Sequence, residues 1–188
     1  RDIDRMLNGM KAGQMIILAA RPSLGKTGLA MNISTNIAKV GVPVAFFSLE
    51  MSTRELMGRI ISSEARAPIR TADDVKDNIT ALQQAALRII SLPLYIDDTP
   101  RLTISEMRTR AIEMQAKHAI KFIVVDYVQI MKGEGQGKGS NREQELAGIS
   151  KGLKAMAKEL GLPILVLAQL NRQAEGKERP NLSQLRES

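Results

Sequence analysis

The sequence predicts an α/β fold, a mostly parallel sheet with helices on both faces, and three observations carry that expectation. Short apolar runs of strand length alternate with segments of helical period, which is the pattern of βα units wound into a parallel sheet. Most of these runs stop at a polar or charged residue, so a parallel arrangement gathers that chemistry on one sheet edge. The first run leads through a glycine-containing loop directly into a helix. The chain has 188 residues, 44% of them hydrophobic and 25% charged, the balance of a folded domain with one core. We therefore expect a single domain over residues 1–188.

Asn8-Gly9 and Gly13 mark a turn that feeds the first strand, residues 14–19. The loop Ala20-Arg21-Pro22-Ser23-Leu24-Gly25-Lys26-Thr27 follows. The next helix, residues 28–39, carries Leu29, Ala30, Ile33, Ile37 and Ala38 at helical spacing, and Gly41 with Pro43 stops it. Residues 44–49 form a buried strand that runs into Glu50. Ser52 with Glu55 makes a capping box for a helix ending near Ala65. After Pro68, Asp73 or Asp74 caps a helix that runs through Leu82, Ala86, Leu87 and Ile90 towards Pro93. A short strand at 94–96 closes on Asp97-Asp98-Thr99-Pro100, whose two acids read as turn residues. Thr103 with Glu106 makes a second capping box, and the helix behind it places Ile104, Met107, Ala111 and Met114 on one face. His118 sits on the surface near that helix's end.

Residues 122–126 are an apolar strand that terminates on Asp126. The stretch from Lys132 to Ser140 contains four glycines together with Lys132 and Lys138, so it is a surface loop rather than a regular element. A helix over residues 142–160 turns Leu146, Ile149, Leu153, Met156, Ala157 and Leu160 inward, leaves Lys154 and Lys158 on a solvated face, and stops at Gly161 and Pro163. The last strand, 164–168, ends at Gln169. A polar, arginine-rich tail follows.

The chemistry begins with the loop after the first strand. Its backbone N–H groups and the positive end of the following helix suit phosphate, Lys26 adds a full charge for the outer phosphates of a nucleotide, and Thr27 offers a hydroxyl to Mg²⁺. The pattern is G-x-x-x-x-G-K-[ST] with Ala20 in place of the first glycine. Asp126, after four apolar residues, has the form of a Walker B carboxylate. Glu50 is placed to take a proton from an attacking water, and Gln169 to sense a γ-phosphate. Arg59, two turns along the helix after Glu50, is a candidate phosphate ligand.

Composition excludes other classes. With no cysteine and one histidine, the chain can build neither a disulfide scaffold nor a cysteine-ligated zinc site. No apolar run is long enough for a membrane span. The charged start, with neither a signal core nor an initiator methionine, reads as that of an excised piece, and the absence of cysteine suits a reducing cytoplasm. The net charge of +7 favours a polyanionic partner. Two tyrosines, three phenylalanines and no tryptophan point to phosphate contacts rather than base stacking.

The chain resembles the C-terminal RecA-like motor domain of DnaB-type replicative helicases. The resemblance covers nearly all of it and rests on ARPSLGKTGLAMN, FFSLEMS, YIDDTP, VVDYVQIM, LAQLNR and LRES, in that order. It implies a RecA-like P-loop NTPase fold and a ring-shaped homo-hexamer that hydrolyses ATP, or another NTP, between subunits and moves along single-stranded DNA in a bacterial or bacteriophage replisome. Ser23, Gly25, Lys26, Thr27, Gly28 and Arg59 then match the nucleotide site, Thr27 a Mg²⁺ ligand, Asp126 the acid that holds Mg²⁺ directly or through water, Glu50 the catalytic glutamate and Gln169 the sensor. Arg186 and Glu187 fall in the segment that meets DNA phosphates, and the loop holding Lys132 and Lys138 also faces the channel. Primase and a helicase loader are implied partners. A collar domain would lie before Arg1, and the arginine finger with the last strands after Ser188, leaving the motor incomplete at its C-terminal end. A RecA-like recombinase or other non-helicase ATPase shares the P-loop but fits the SLEM and LRES segments less well, and Glu50 with Asp126 argues against a non-hydrolysing regulator.

Overall fold

In the computed structural model, which describes residues 7–131 and 142–170, five parallel strands lie in the order β1-β5-β4-β2-β3. They are β1 (Met15–Ala20), β2 (Val44–Ser48), β3 (Leu94–Asp97), β4 (Phe122–Asp126) and β5 (Ile164–Gln169). The helices between them are α1 (Lys26–Lys39), α2 (Thr53–Ala65), α3 (Ala72–Asp77), α4 (Ile79–Ile90), α5 (Ile104–His118) and α6 (Arg142–Leu160).

The central strands are apolar throughout because both faces of the sheet are covered, and side chains alternate between the two faces. Val44, Phe46, Phe122, Val124, Leu165 and Leu167 pack on one side with Ala30 and Met31 of α1, Leu56 and Ile60 of α2, and Ile89 of α4. Ala45, Phe47, Ile123, Val125, Ile164 and Val166 pack on the other with Met107 and Ala111 of α5 and with Leu153, Met156 and Ala157 of α6. Ile104, Met114, Leu146 and Leu160 edge that second core, as their spacing predicts. The two helices there meet closely: a Cβ on Gly152 of α6 would stand 2.8 Å from Cγ2 of Ile104.

Ser52 with Glu55 and Thr103 with Glu106 both form complete capping boxes, each side chain bonding the other's backbone N–H. Between them the structure departs from the sequence reading. The cap before α3 is Thr71, with Asp74 as its reciprocal partner, and the expected single helix is two, broken at Asn78. On α4 the buried residues are Leu82, Ala85 and Ile89, whereas Leu87 and Ile90 are exposed. β1 runs one residue further than expected, and α1 begins at Lys26 rather than at Gly28. Lys154 is not a solvated residue, since its ammonium donates to the Gly13 carbonyl at 2.9 Å. His118 stacks on Tyr95 with ring centroids 3.9 Å apart. Among the described residues no helix is long and apolar enough to cross a membrane.

Candidate nucleotide site

All five strands point the same way, so their carboxyl ends share one edge. Ala20 pairs with Gln169 across β1 and β5, and Ser48 with Asp126 across β2 and β4. β5 stands between the P-loop strand and the strand that bears Asp126, which puts Gln169 between the two. Ala20 is an ordinary extended residue whose carbonyl accepts from the Leu170 N–H at 3.0 Å. The alanine in place of glycine therefore costs the loop nothing. The left-handed positions are Ser23, at φ 62°, and Gly25, at φ 80°. A Cβ on Gly25 would meet no atom within 4 Å, so glycine is needed there for its φ alone. No side chain caps α1, and its first turn holds no acid. Its N-terminal N–H groups and dipole are left for an anion. Ser23 and Gly25 are exposed, while Lys26, Thr27 and Gly28 are half-buried.

Asp126 is 1% exposed, and neither carboxylate oxygen has a donor in hydrogen-bonding geometry. Burial raises its pKa above the usual aspartate range; Thr27 and Lys26 pull it down, Glu50 pushes it up, and Arg59 lowers it. Burial likewise lowers the pKa of Lys26, against the attraction of Asp126 and Glu50. The Lys26 ammonium lies 4.5 Å from the centroid of the Tyr127 ring, a contact that holds the cation at the mouth of the site. Burial, with Glu50 and Asp126 nearby, keeps the Tyr127 phenol protonated to higher pH than usual.

Glu50 is exposed just beyond β2, in a turn pinned on several sides. The Leu49 N–H donates to the Asp126 carbonyl at 2.7 Å, and the Ser48 hydroxyl to the Met51 carbonyl at 2.6 Å. Asp98 accepts from the Thr53 N–H at 2.7 Å, at the first turn of α2. Asp97 accepts from the Thr99 N–H and from Arg110. Both acids are structural, as read from the sequence, but Asp97 is the last residue of β3 rather than part of the turn, and Asp98 braces the helix that follows Glu50. Arg59 projects from α2 and lines, with Gly28, Asn32 and Thr35 of α1, a cleft of about 420 Å³.

Gln169 is half-buried, and the side chain of Gln129 holds its backbone. Gln129 Nε2 donates to the Gln169 carbonyl at 2.9 Å, and the Gln169 N–H donates to Gln129 Oε1 at 3.2 Å. Tyr127 and Gln129 lie in the motif VVDYVQIM and Asp98 in YIDDTP, but nothing in the sequence assigns them these contacts. Lys132, Lys138, Arg186 and Glu187 lie outside the described residues.

Among the described residues no group of three or more His, Cys, Asp or Glu could hold a metal ion by itself. Mg²⁺ in a phosphate site needs less, because it keeps several waters and draws other oxygens from the phosphates. The two donorless oxygens of Asp126 and the nearby Thr27 hydroxyl fit that requirement.

The family model described as the DnaB-like helicase C terminal domain matches residues 1–188. A replicative DNA helicase DnaB of Rhodothermus marinus is 42% identical over 99% of this chain, which spans 20% of that protein. The replicative DNA helicase DnaB of Geobacillus stearothermophilus is 39% identical over 100% of the chain, which spans 42% of its length. The chain thus spans less than half of these relatives. Among solved structures, a DnaB-like replicative helicase, described with its interactions with primase, superposes with a TM-score of 0.91 at 30% identity, over 100% of this chain and 46% of that one. A second solved structure, described as an ATPase domain, superposes at 0.89 with 29% identity, over 100% of this chain and 68% of that one. With its RecA-type strand order, its P-loop and the acids on one sheet edge, the chain belongs to the DnaB-like helicase C-terminal domain family.

Proposed function

We propose that the chain is the ATP-hydrolysing motor of a hexameric replicative DNA helicase, coupling hydrolysis to movement along single-stranded DNA and to unwinding. The observation that carries this reading is the buried, donorless carboxylate of Asp126 on the same edge as Lys26, Thr27 and Glu50. Such a charge is tolerated where a ligand completes it.

The P-loop N–H groups and Lys26 bind the β- and γ-phosphates, with Lys26 leaving the Tyr127 ring to do so. Thr27 and Asp126 hold the Mg²⁺ that, when bound, neutralises charge on the phosphates. Glu50 accepts a proton from a water as its oxygen attacks the γ-phosphorus; the bond to the bridging oxygen breaks, and ADP leaves with that electron pair. Gln169 meets the γ-phosphate and Arg59 adds a cation from α2. A further cation comes from the neighbouring subunit in the ring. Lys132, Lys138 and the Arg186-Glu187 segment meet DNA phosphates, in keeping with the net charge of +7. A replicative role places the protein in the cytoplasm with a helicase loader and, following the structural relative described with primase, with that enzyme as a partner.

The test is ATP-dependent strand displacement by the full-length protein on a forked duplex, run beside a strand-exchange assay. Displacement without exchange is expected. Exchange without displacement would assign the chain to the recombinases instead.

A further inference from the structure

We infer that Gln129 is a positioning residue that sets the orientation of Gln169; this rests on the reading of Gln169 as the residue that meets the γ-phosphate. β4 and β5 are in register from Ile123 and Ile164 only as far as Val125 and Val166. Beyond that point β4 keeps only its other neighbour, with Ser48 of β2 opposite Asp126 and the Leu49 N–H on the Asp126 carbonyl, and it ends at Asp126 while β5 runs on to Gln169. On its other side β5 keeps its partner, with Ala20 opposite Gln169 and the Leu170 N–H on the Ala20 carbonyl. The N–H and C=O of one strand residue point to the same side, and those of Gln169 point to where β4 no longer runs.

Gln129 fills that place. One side-chain amide supplies both a donor and an acceptor, at 2.9 and 3.2 Å, in the pattern of a neighbouring strand. The reciprocal pair also fixes which end of the amide is nitrogen. Gln129 sits in the 3-10 turn Val128–Ile130, shortly after Asp126 and Tyr127. A single side chain therefore ties the strand end that carries Asp126 to the one that carries Gln169, and sets the spacing between the metal-binding and γ-phosphate-sensing groups. Its bonds are to backbone, so they persist whatever the side chain at position 169. Displacement of a catalytic constellation by about 1 Å can cost about 10²-fold in rate.

The experiment uses the full-length protein, with Gln129→Ala, Gln129→Glu, Gln169→Ala and the Gln129→Ala/Gln169→Ala double variant. Steady-state ATP hydrolysis with single-stranded DNA gives kcat and KM, and thermal unfolding monitors the fold. Gln129→Ala is expected to lower kcat about 10- to 10²-fold while KM for ATP changes by less than about threefold. Gln129→Glu keeps an acceptor for the Gln169 N–H but repels its carbonyl, so its kcat should also fall. In the double variant Gln129→Ala should cost nothing beyond Gln169→Ala. Parental kcat in both Gln129 variants beside a defective Gln169→Ala would overturn the positioning role and leave Gln169 as the sensor. Independent, multiplicative losses in the double variant would overturn it too. A Gln169→Ala protein with parental kcat would instead remove the sensor reading on which the inference stands.

Discussion

Asp126→Asn should raise the melting temperature of the nucleotide-free protein at neutral pH while removing its turnover. Folding takes the Asp126 carboxylate to 1% exposure without giving either oxygen a donor. A neutral polar group buried unsatisfied costs about 1–3 kcal/mol, and a charged one more. The asparagine amide is orphaned as well, so the gain is the excess cost of the charge, reduced by the lost pull of Thr27, Lys26 and Arg59 on the carboxylate. Because the pKa of Asp126 is raised despite the Thr27 hydroxyl and those cations, burial wins. A net gain of about 1 kcal/mol corresponds to about 2–4 °C for a domain of this size. The sign with pH is fixed. A group whose folded-state pKa is raised stabilises the fold below its unfolded pKa and loses that contribution as pH rises through the folded value. The advantage of the asparagine should thus be full at neutral pH, shrink as pH falls through the raised pKa, and vanish below the ordinary aspartate value of about 3.9. Thermal unfolding by circular dichroism, without nucleotide or Mg²⁺, measures it. A melting temperature at or below the parent's at pH 7, or a gain independent of pH, would refute the reasoning.

Lys26→Ala should lose nucleotide affinity in a titration with fluorescent ATP, since the phosphates lose a fixed cation and a charge-assisted contact. Gly25→Ala should weaken that binding too and lower stability by about 1 kcal/mol, read by thermal unfolding, because an alanine at φ 80° is strained even with open space around its Cβ. Asp98→Ala removes the acceptor of the Thr53 N–H at the start of α2. It should cost about 1 kcal/mol in denaturant unfolding, the scale of a lost helix cap, and lower kcat more than it weakens ATP binding, as the turn holding Glu50 loosens.

What could be read from the sequence depended on how local its cause was. Val44–Ser48 announces itself as a strand because a segment covered on both faces must be apolar at nearly every position. The ends of such strands then locate Glu50, Asp126 and Gln169. The boxes at Ser52 and Thr103 are written within four residues. The Thr71 box has the same logic, but two adjacent acids behind it compete for the role, and Asp74 turns out to be the partner rather than the cap. The outward turn of Leu87 and Ile90 comes from α4 packing Ile89 with Leu56 and Ile60 of α2, which hydrophobic order alone does not specify, and at the break the Asn78 amide donates to the Asp74 carbonyl. Other contacts join residues distant in the chain: Gln129 to Gln169 across 40 positions, Thr53 to Asp98 across 45, Lys154 to Gly13 across 141. A glutamine, an aspartate and a lysine that bond backbone groups that far away carry no local mark of it.

The central claim is that Glu50 is the base of a hydrolytic site built on this sheet edge, and Glu50→Gln tests it most directly. ATP binding, by titration, and ATP hydrolysis with single-stranded DNA, at steady state, are measured on the full-length parent and variant. Parental affinity is expected, with turnover reduced about 10²- to 10⁴-fold, the usual contribution of a general base. Hydrolysis at the parental rate would contradict the claim and leave Glu50 an exposed residue between a strand and a capped helix.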